Sequence, residues 1–493
     1  MLIHALDRSL PGDDGRDASF SNAGTFRKTA STADHVTTID VNLVNTGTVN
    51  VETGVLNFTR SGDFRGVFEL ADTVELRLSE GQYAFNGVQS TGNGKVSITG
   101  DSPYLISDNP SLLAINPPTE VNVNSEGSML SHLDFQNGII DLVGASLTVG
   151  KFRQQDLSLV RGDHDLIVTS EALFVGGSHI GNGQTILKGD SRITTNGITL
   201  DGGRTLVNQG YLLWDQGQIV LNRTRGLADG VVAGGANIVN AADSGFVIRG
   251  DGAVAMSVFA ASDLAGANQT QFTHHGTLIK YESSANNSTS IGVSFSNFGH
   301  VEVETGNLRF SRPFTNHGRI LVHEAAKLTV AHVDLINEED GHLTGTGSYL
   351  LESAAKLINK GEVSPGIGFN PGFDDIGHLT VLGDYVQADT GRLQIELAGL
   401  DAFDTLNVQG LVDLGGTLQI NGLNGYKPNV GDSFIVMSYL GTLGSTRQVF
   451  DHIQWSGFNP ALAFDVSYLN NAVKLTVSQV PLPGGLVCLP AEA

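Results

Sequence analysis

Apolar and polar residues alternate along most of this chain. In "VNVETGVLNF", Val49, Val51, Leu56 and Phe58 fall on one side of the alternation, and Asn50 and Asn57 on the other. A period of two belongs to a strand with one buried face, and the 3.6-residue period of a helix does not appear. The alternating runs are short and end at Asn and Gly. The pattern therefore predicts many short strands joined by tight corners.

The pattern repeats. Residues 20–58 align without a gap to residues 272–310, and 18 of the 39 positions are identical. The shared residues include Phe20/Phe272, Gly24/Gly276, Ile39/Ile291, Val49/Val301, Val51/Val303, Leu56/Leu308 and Phe58/Phe310. They are mostly alternating apolar residues plus turn residues. A duplicated active site would instead keep its polar groups. The four valines, Leu56, Leu308, Phe58 and Phe310 are expected to face a core, and Asn50/Glu302 and Asn57/Arg309 to face outward.

A shorter period runs inside the duplication. Asn-x-Gly occurs at Asn22–Gly24, Asn45–Gly47, Asn208–Gly210, Asn297–Gly299, Asn316–Gly318 and Asn359–Gly361, with a stretched form at Asn337–Gly341. The steps 22→45, 297→316, 316→337 and 337→359 are 23, 19, 21 and 22 residues. Periods in this range indicate a solenoid. Leucine-rich, ankyrin and tetratricopeptide patterns are absent. An all-β fold, a right-handed parallel β-helix of about 20 residues per turn, remains. Each strand would pair with its counterparts one turn away, at about 4.8 Å. Corner Asn and Gly are expected to take positive φ, and stacked Asn to form amide ladders.

The predicted organisation has four parts. Residues 1–19 form a disordered leader and 20–375 the β-helix, about 17 turns at this period. Residues 376–478 form a β-rich region that closes its C-terminal end, since an open end is an exposed strand edge. Residues 479–493 form a flexible tail. "DNPSLLAINPPTEVNVN" (108–124) and "RGLADGVVAGG" (225–235) read as loops leaving the ladder.

Composition agrees. The 493 residues include 62 Gly, about double the usual share. Lys and Arg number 28 against 51 Asp and Glu, a net charge of −23. Phosphate binding needs clustered Lys and Arg, so nucleic acid is not an expected partner. The one cysteine, Cys488, excludes a disulfide framework or a cysteine zinc site. No apolar run reaches the ~20 residues of a membrane span. The start, "MLIHALDRSLPGDDGRDASF", does not read as a signal peptide, and the true N-terminus is expected further upstream.

The C-terminal region carries the motifs of a family resemblance that extends over most of residues 20–478. Ser364–Pro365–Gly366, "GHLTVLGDY" (377–385), "LQIEL" (393–397), "DTLNVQG" (404–410), "GGTL" (415–418) and "GDSF" (431–434) resemble the end of autotransporter passenger domains and related bacterial secreted β-helix proteins. No membrane β-barrel pattern follows. "VPLPGG", from Val480, instead is similar to the start of a PEP-CTERM-type sorting tail, without the apolar helix and Arg cluster that such tails carry. The resemblance implies an extracellular or cell-surface location. It implies a structural or adhesive role, with extracellular polysaccharide or other surface proteins as partners.

Candidate chemistry is sparse. Pectin-degrading β-helix hydrolases use paired carboxylates as acid and base. Asp374–Asp375 with His378 is the one catalytic candidate of that kind, set in a Gly/Pro loop where solvated turn carboxylates are the default. "GDHDL" places Asp163 and Asp165 on one face and His164 on the other, a metal candidate that a turn explains more simply. His274, His275, His300 and His317 fall at successive corners, as a surface stripe or as exposed corner residues. Arg161–Gly162–Asp163 and Arg249–Gly250–Asp251 spell an adhesive tripeptide in a chain where Gly-Asp turns are common. No cofactor motif and no metal motif is found, and the sequence does not fix the oligomeric state. The leading expectation is a non-enzymatic surface scaffold. A carbohydrate-active enzyme and a self-assembling surface layer are the alternatives.

Overall fold

The computed structural model describes residues 2–4, 18–29, 32–100, 119–155, 157–221, 235–258, 270–284, 287–367, 376–444 and 449–480. Among these residues the regular structure is all β, and the chain packs as two compact units, 1–299 and 300–493.

In unit 1 most turns contribute three short strands, and each strand pairs in parallel with its counterpart one turn on. Sheet a begins with Ser19–Asn22, Asn42–Asn45 and Gly62–Phe64. Sheet b begins with Thr25–Lys28, Thr48–Val51 and Val67–Leu70. Sheet c begins with Val36–Asp40, Val55–Phe58 and Glu75–Leu78. Strands Leu147–Gln154 and Leu166–Phe174 run through the corner from sheet b into sheet c, with a register shift between Val149 and Lys151. The parallel β-helix expected from the alternation is therefore present.

The core also follows the alternation. Val49, Val51, Leu56 and Phe58 are buried, as are Val301, Val303, Leu308 and Phe310 in unit 2. Asn50, Asn57, Glu302 and Arg309 stay partly exposed. Burying such columns supplies roughly 1.5–3 kcal/mol per large apolar side chain before entropy is charged against it.

The duplicated segments share strand boundaries but not faces. Ser19–Asn22 lies in sheet a, whereas its counterpart Gln271–His274 pairs with Asn237–Asn240 and Ser294–Asn297 in sheet b. Val36–Asp40 lies in sheet c, whereas its counterpart Ser288–Gly292 pairs with strand Ala253–Val258 in sheet a. The second copy is displaced by one face. Its local sequence specifies strand, corner and strand, and the number of preceding strands decides the face.

Unit 2 repeats the design, with its strands in three parallel ladders labelled sheets d, e and f. Sheet d begins with Asn307–Phe310, Lys327–Ala331 and Ser348–Glu352. Sheet e contains Phe314–Asn316, Leu335–Asn337, Lys356–Asn359 and Asp384–Gln387. Sheet f runs from His300–Val303 through Arg319–Val322 to Arg392–Leu397, Thr417–Gly422 and His452–Ser456. Parallel stacking passes the change of sequence texture at 376 without a break, since Ser348–Leu350 pair with Thr380–Leu382. Antiparallel pairing begins later, where Ser433–Ser438 meets Ala472–Gln479, itself paired with Leu462–Leu469.

Three expectations need adjustment. Leu2–His4 pairs with Thr38–Asp40, so part of the expected leader is strand. Residues 120–124, expected in a loop, belong to strand Glu120–Ser125 of sheet a. Gly24, Gly47, Gly210, Gly299 and Gly361 do not take positive φ. Close approach explains all but Gly24, around which a Cβ would have open space: a Cβ on Gly47 would collide with Gly24 O one turn earlier, and a Cβ on Gly299 with Gly276 O. The segments 108–118 and 225–234, and the tail from 481 with Cys488, lie outside the described residues.

Candidate functional site

The Asn corners are internal fastenings. Asn22 Nδ2 donates to Asn45 Oδ1 at 2.7 Å and to Thr48 O at 2.9 Å. Asn45 Nδ2 donates to Gly47 O at 3.1 Å. Asn208 donates to Asn240 Oδ1 at 2.7 Å and to Gly245 O at 2.8 Å. Asn297 accepts from Gly299 N at 3.1 Å. In unit 2, Asn316 donates to Gly318 O at 3.0 Å and to Asn337 Oδ1 at 2.7 Å. Asn337 then donates to Asn359 Oδ1 at 2.8 Å, and Asn359 to Tyr385 OH at 3.2 Å. All of these amides are buried. Apart from Asn297, which holds a backbone N–H, each satisfies a carbonyl that the corner would otherwise leave bare.

Three members of these ladders escape the Asn-x-Gly pattern: Asn240, His274 and Gln387. His274 is fully buried, lies 3.2 Å from Asn240 Nδ2 through Nδ1, and stacks on Phe295. The signal for it is His-x-Gly-Thr, which matches Asn22-x-Gly-Thr in the duplicated block.

The histidine stripe does not assemble. His275 stacks on Phe298, His300 faces Glu302 at 3.3 Å, and His317 faces Asp340 at 2.9 Å. Among the described residues no group of three or more His, Cys, Asp or Glu is arranged to hold a metal. In "GDHDL", Asp163 accepts from Asn182 N at 3.2 Å, Asp165 from Gln184 N at 2.7 Å, and His164 Nδ1 lies 3.1 Å from Leu142 O. These groups tie one turn to its neighbours. The adhesive tripeptides are engaged in the same way. Arg161 donates to Asp141 at 2.6 Å and Glu120 at 3.1 Å, and Asp251 accepts from Ser284 N at 3.0 Å.

Asp374 and Asp375 lie outside the described residues. His378 is exposed, with Nδ1 2.7 Å from Thr405 Oγ1. The nearby Asp404, from "DTLNVQG", is fully buried and accepts from Gly377 N at 2.8 Å and Glu396 N at 2.9 Å. That motif aspartate is a backbone staple.

A further candidate is a cleft that no motif in the sequence marks. It is an open concavity of ≈ 680 Å³ on the outer face of sheet c in unit 1, lined by Lys151, Glu171, Leu173, Asp190, Arg192, Tyr211 and Leu213 among others. Four adjacent strands supply it. Lys151, Glu171, Asp190 and Tyr211 occupy one register column, one residue per turn. Arg153, Leu173, Arg192 and Leu213 form the column beside it.

The cleft is pre-shaped. Tyr211 is 42 % exposed on a strand whose Leu212 and Trp214 face inward. Its ring lies against Gly245 on the next strand, where a Cβ would come within 3.1 Å of Tyr211 Cδ2. Arg192 is fixed from below by the Asp215 carboxylate, which also accepts from Arg249 Nε at 2.9 Å. Burial works against ionisation of Asp215, but the Arg192 and Arg249 contacts prevail and hold it below the ordinary carboxylate range. Lys151 and Glu171 form a looser pair at 3.6 Å, each side chain more than half exposed. The cleft thus offers one aromatic face, two carboxylates, two cations and two leucines. The only trace in the sequence is an outward-facing tyrosine at the head of "YLLW".

No protein-family model matches the chain, and no curated protein sequence matches it. Among the described residues no helix is long and apolar enough to cross a membrane.

Proposed function

We propose that this protein is an extracellular or cell-surface β-helix scaffold that binds polysaccharide without cleaving it. The observation that carries the reading is the cleft on sheet c. Its aromatic face and mixed hydrogen-bonding groups suit a polyhydroxyl ligand, since binding sites pair an apolar floor with a few placed polar groups. The inter-turn fastenings fit a structural role, because the polar motifs of the chain are spent on holding turns together. Location at the surface rests on the resemblance of the C-terminal motifs to those of secreted β-helix proteins.

Glu171 and Asp190 are side by side in register, so glycoside cleavage is the alternative to test. Both are solvent-exposed, whereas a general acid is usually made by burying a carboxyl. Affinity electrophoresis through gels containing plant and bacterial polysaccharides should show retardation. The same polysaccharides incubated with the protein should gain neither reducing ends nor unsaturated products. Repeated turnover in that assay would replace the scaffold reading with an enzymatic one.

A further inference from the structure

We infer that the sheet c cleft takes a neutral polysaccharide chain lying across the strands, one sugar residue per turn, with Tyr211 as its stacking platform. This rests on the polysaccharide-binding reading above and adds the charge class, the orientation and the length of the ligand.

The orientation follows from the register. Lys151, Glu171, Asp190 and Tyr211 are Cα partners on consecutive turns. Adjacent strands lie about 4.8 Å apart, close to the length of one sugar in an extended chain. A chain running along this column meets a new side chain at each residue. A chain running along a strand would meet outward side chains only at every second position and would leave the cleft at once.

The charge class follows from the lining. Glu171 and Asp190 are exposed carboxylates that accept hydrogen bonds, and Lys151 and Arg192 donate them. Hydroxyl groups satisfy both kinds, since each can donate and accept. The charge of Arg192 is already met by Asp215, and Lys151 sits beside Glu171. A polyanion would face two carboxylates on a chain of net charge −23, which repels it at long range.

Gly245 is a positioning residue in this arrangement. Its bare backbone lets the Tyr211 ring lie along the sheet, and a Cβ there presses the ring outward.

The test uses the full chain and soluble oligosaccharides of two to seven residues from a neutral β-glucan, a xylan and a polygalacturonate, by calorimetry. Affinity for a neutral series should rise up to four residues, matching the four strands, and then level off. It should change by less than about twofold between low and high salt, since screening acts on charged ligands. Tyr211→Ala should weaken binding by at least about tenfold, a loss typical of an aromatic platform. Tyr211→Phe should keep it within about twofold, because stacking needs the ring and not the hydroxyl. Gly245→Ala should weaken binding with an unchanged circular dichroism spectrum. Binding confined to polygalacturonate and falling with salt overturns this inference and leaves the polysaccharide reading intact. Neutral binding untouched by Tyr211→Ala moves the site elsewhere and also overturns it. Failure to bind any of the three, with the folded state confirmed by its melting transition, overturns both.

Discussion

Asn337 shows what a corner residue does in this fold. Its Oδ1 accepts from Asn316, and its Nδ2 faces Gly341 O at 3.1 Å, Asn359 Oδ1 at 2.8 Å and Glu362 O at 3.2 Å. One buried amide therefore serves three consecutive turns. Asn337→Ala strands these partners away from water and should cost about 2–4 kcal/mol, read as a lower melting temperature. Asn337→Asp keeps the acceptor and loses the donors, so it should be at least as damaging at neutral pH. A second buried group sets a pH limit. His179 is fully buried, with Nδ1 2.7 Å from Thr185 Oγ1 and Nε2 2.6 Å from Gln154 Oε1. Burial, helped by the nearby Arg204 charge, holds its pKa well below the ordinary value. Unfolding restores a histidine of pKa about 6.5, so the unfolded chain binds the proton first as pH falls. The stability that neutral His179 contributes is complete above pH 6.5 and declines below it. Melting temperatures measured from pH 8 down to pH 5 should fall, and His179→Gln should flatten that decline.

At the scale of strands and corners, the sequence reveals the repeating element better than its placement. Alternation identifies the inward residues correctly because burial on one face of a strand leaves a period of two. Asn-x-Gly, with its one stretched form, identifies most of the corner side chains. Asn240, His274 and Gln387 are missed because the ladder requires a buried hydrogen-bonding side chain at the strand end and tolerates different residues and corner lengths. The cleft is missed for a different reason: its four column residues are spread from 151 to 211 and meet only when turns stack. The face of each duplicated segment is likewise set by the strands before it. Glycine shows the same division between local and stacked causes. Gly425 takes a φ of +67°, beside Asn424 at +49°, and has open space around a Cβ. Gly361 has an ordinary φ, but a Cβ would collide with Glu338 O and Gly341 O. Gly425→Ala should therefore cost about 1–2 kcal/mol through its backbone alone. Gly361→Ala must push two turns apart and should cost more, at least about 2 kcal/mol, in parallel denaturant titrations.

At the scale of the whole molecule, contacts made turn by turn imply that turns are exchangeable. In a solenoid each repeat touches mainly its neighbours, so stability is close to a sum of repeat and interface contributions. Unit 2 allows a clean test. Asn316 and Asn337 occupy the same register position in sheet e, 21 residues apart. Removing residues 317–337 deletes Arg319–Val322, Lys327–Ala331 and Leu335–Asn337, one strand from each of sheets f, d and e. Asn316 then precedes Glu338 and inherits the place of Asn337 beside Asn359 and Gly341. Inward and outward faces keep their order on every strand that follows. The shortened protein should fold, keep its β-type circular dichroism and melt a few degrees lower. Removing only residues 317–326 takes out the sheet f strand and the corner after it but leaves the other two, so every later strand is offered to the wrong face. Corner amides then meet strands instead of amides, and the columns of matched side chains are broken. That variant should be insoluble or lack a cooperative melting transition. Equal loss of folding in both variants would show that unit 2 is held by contacts beyond neighbouring turns.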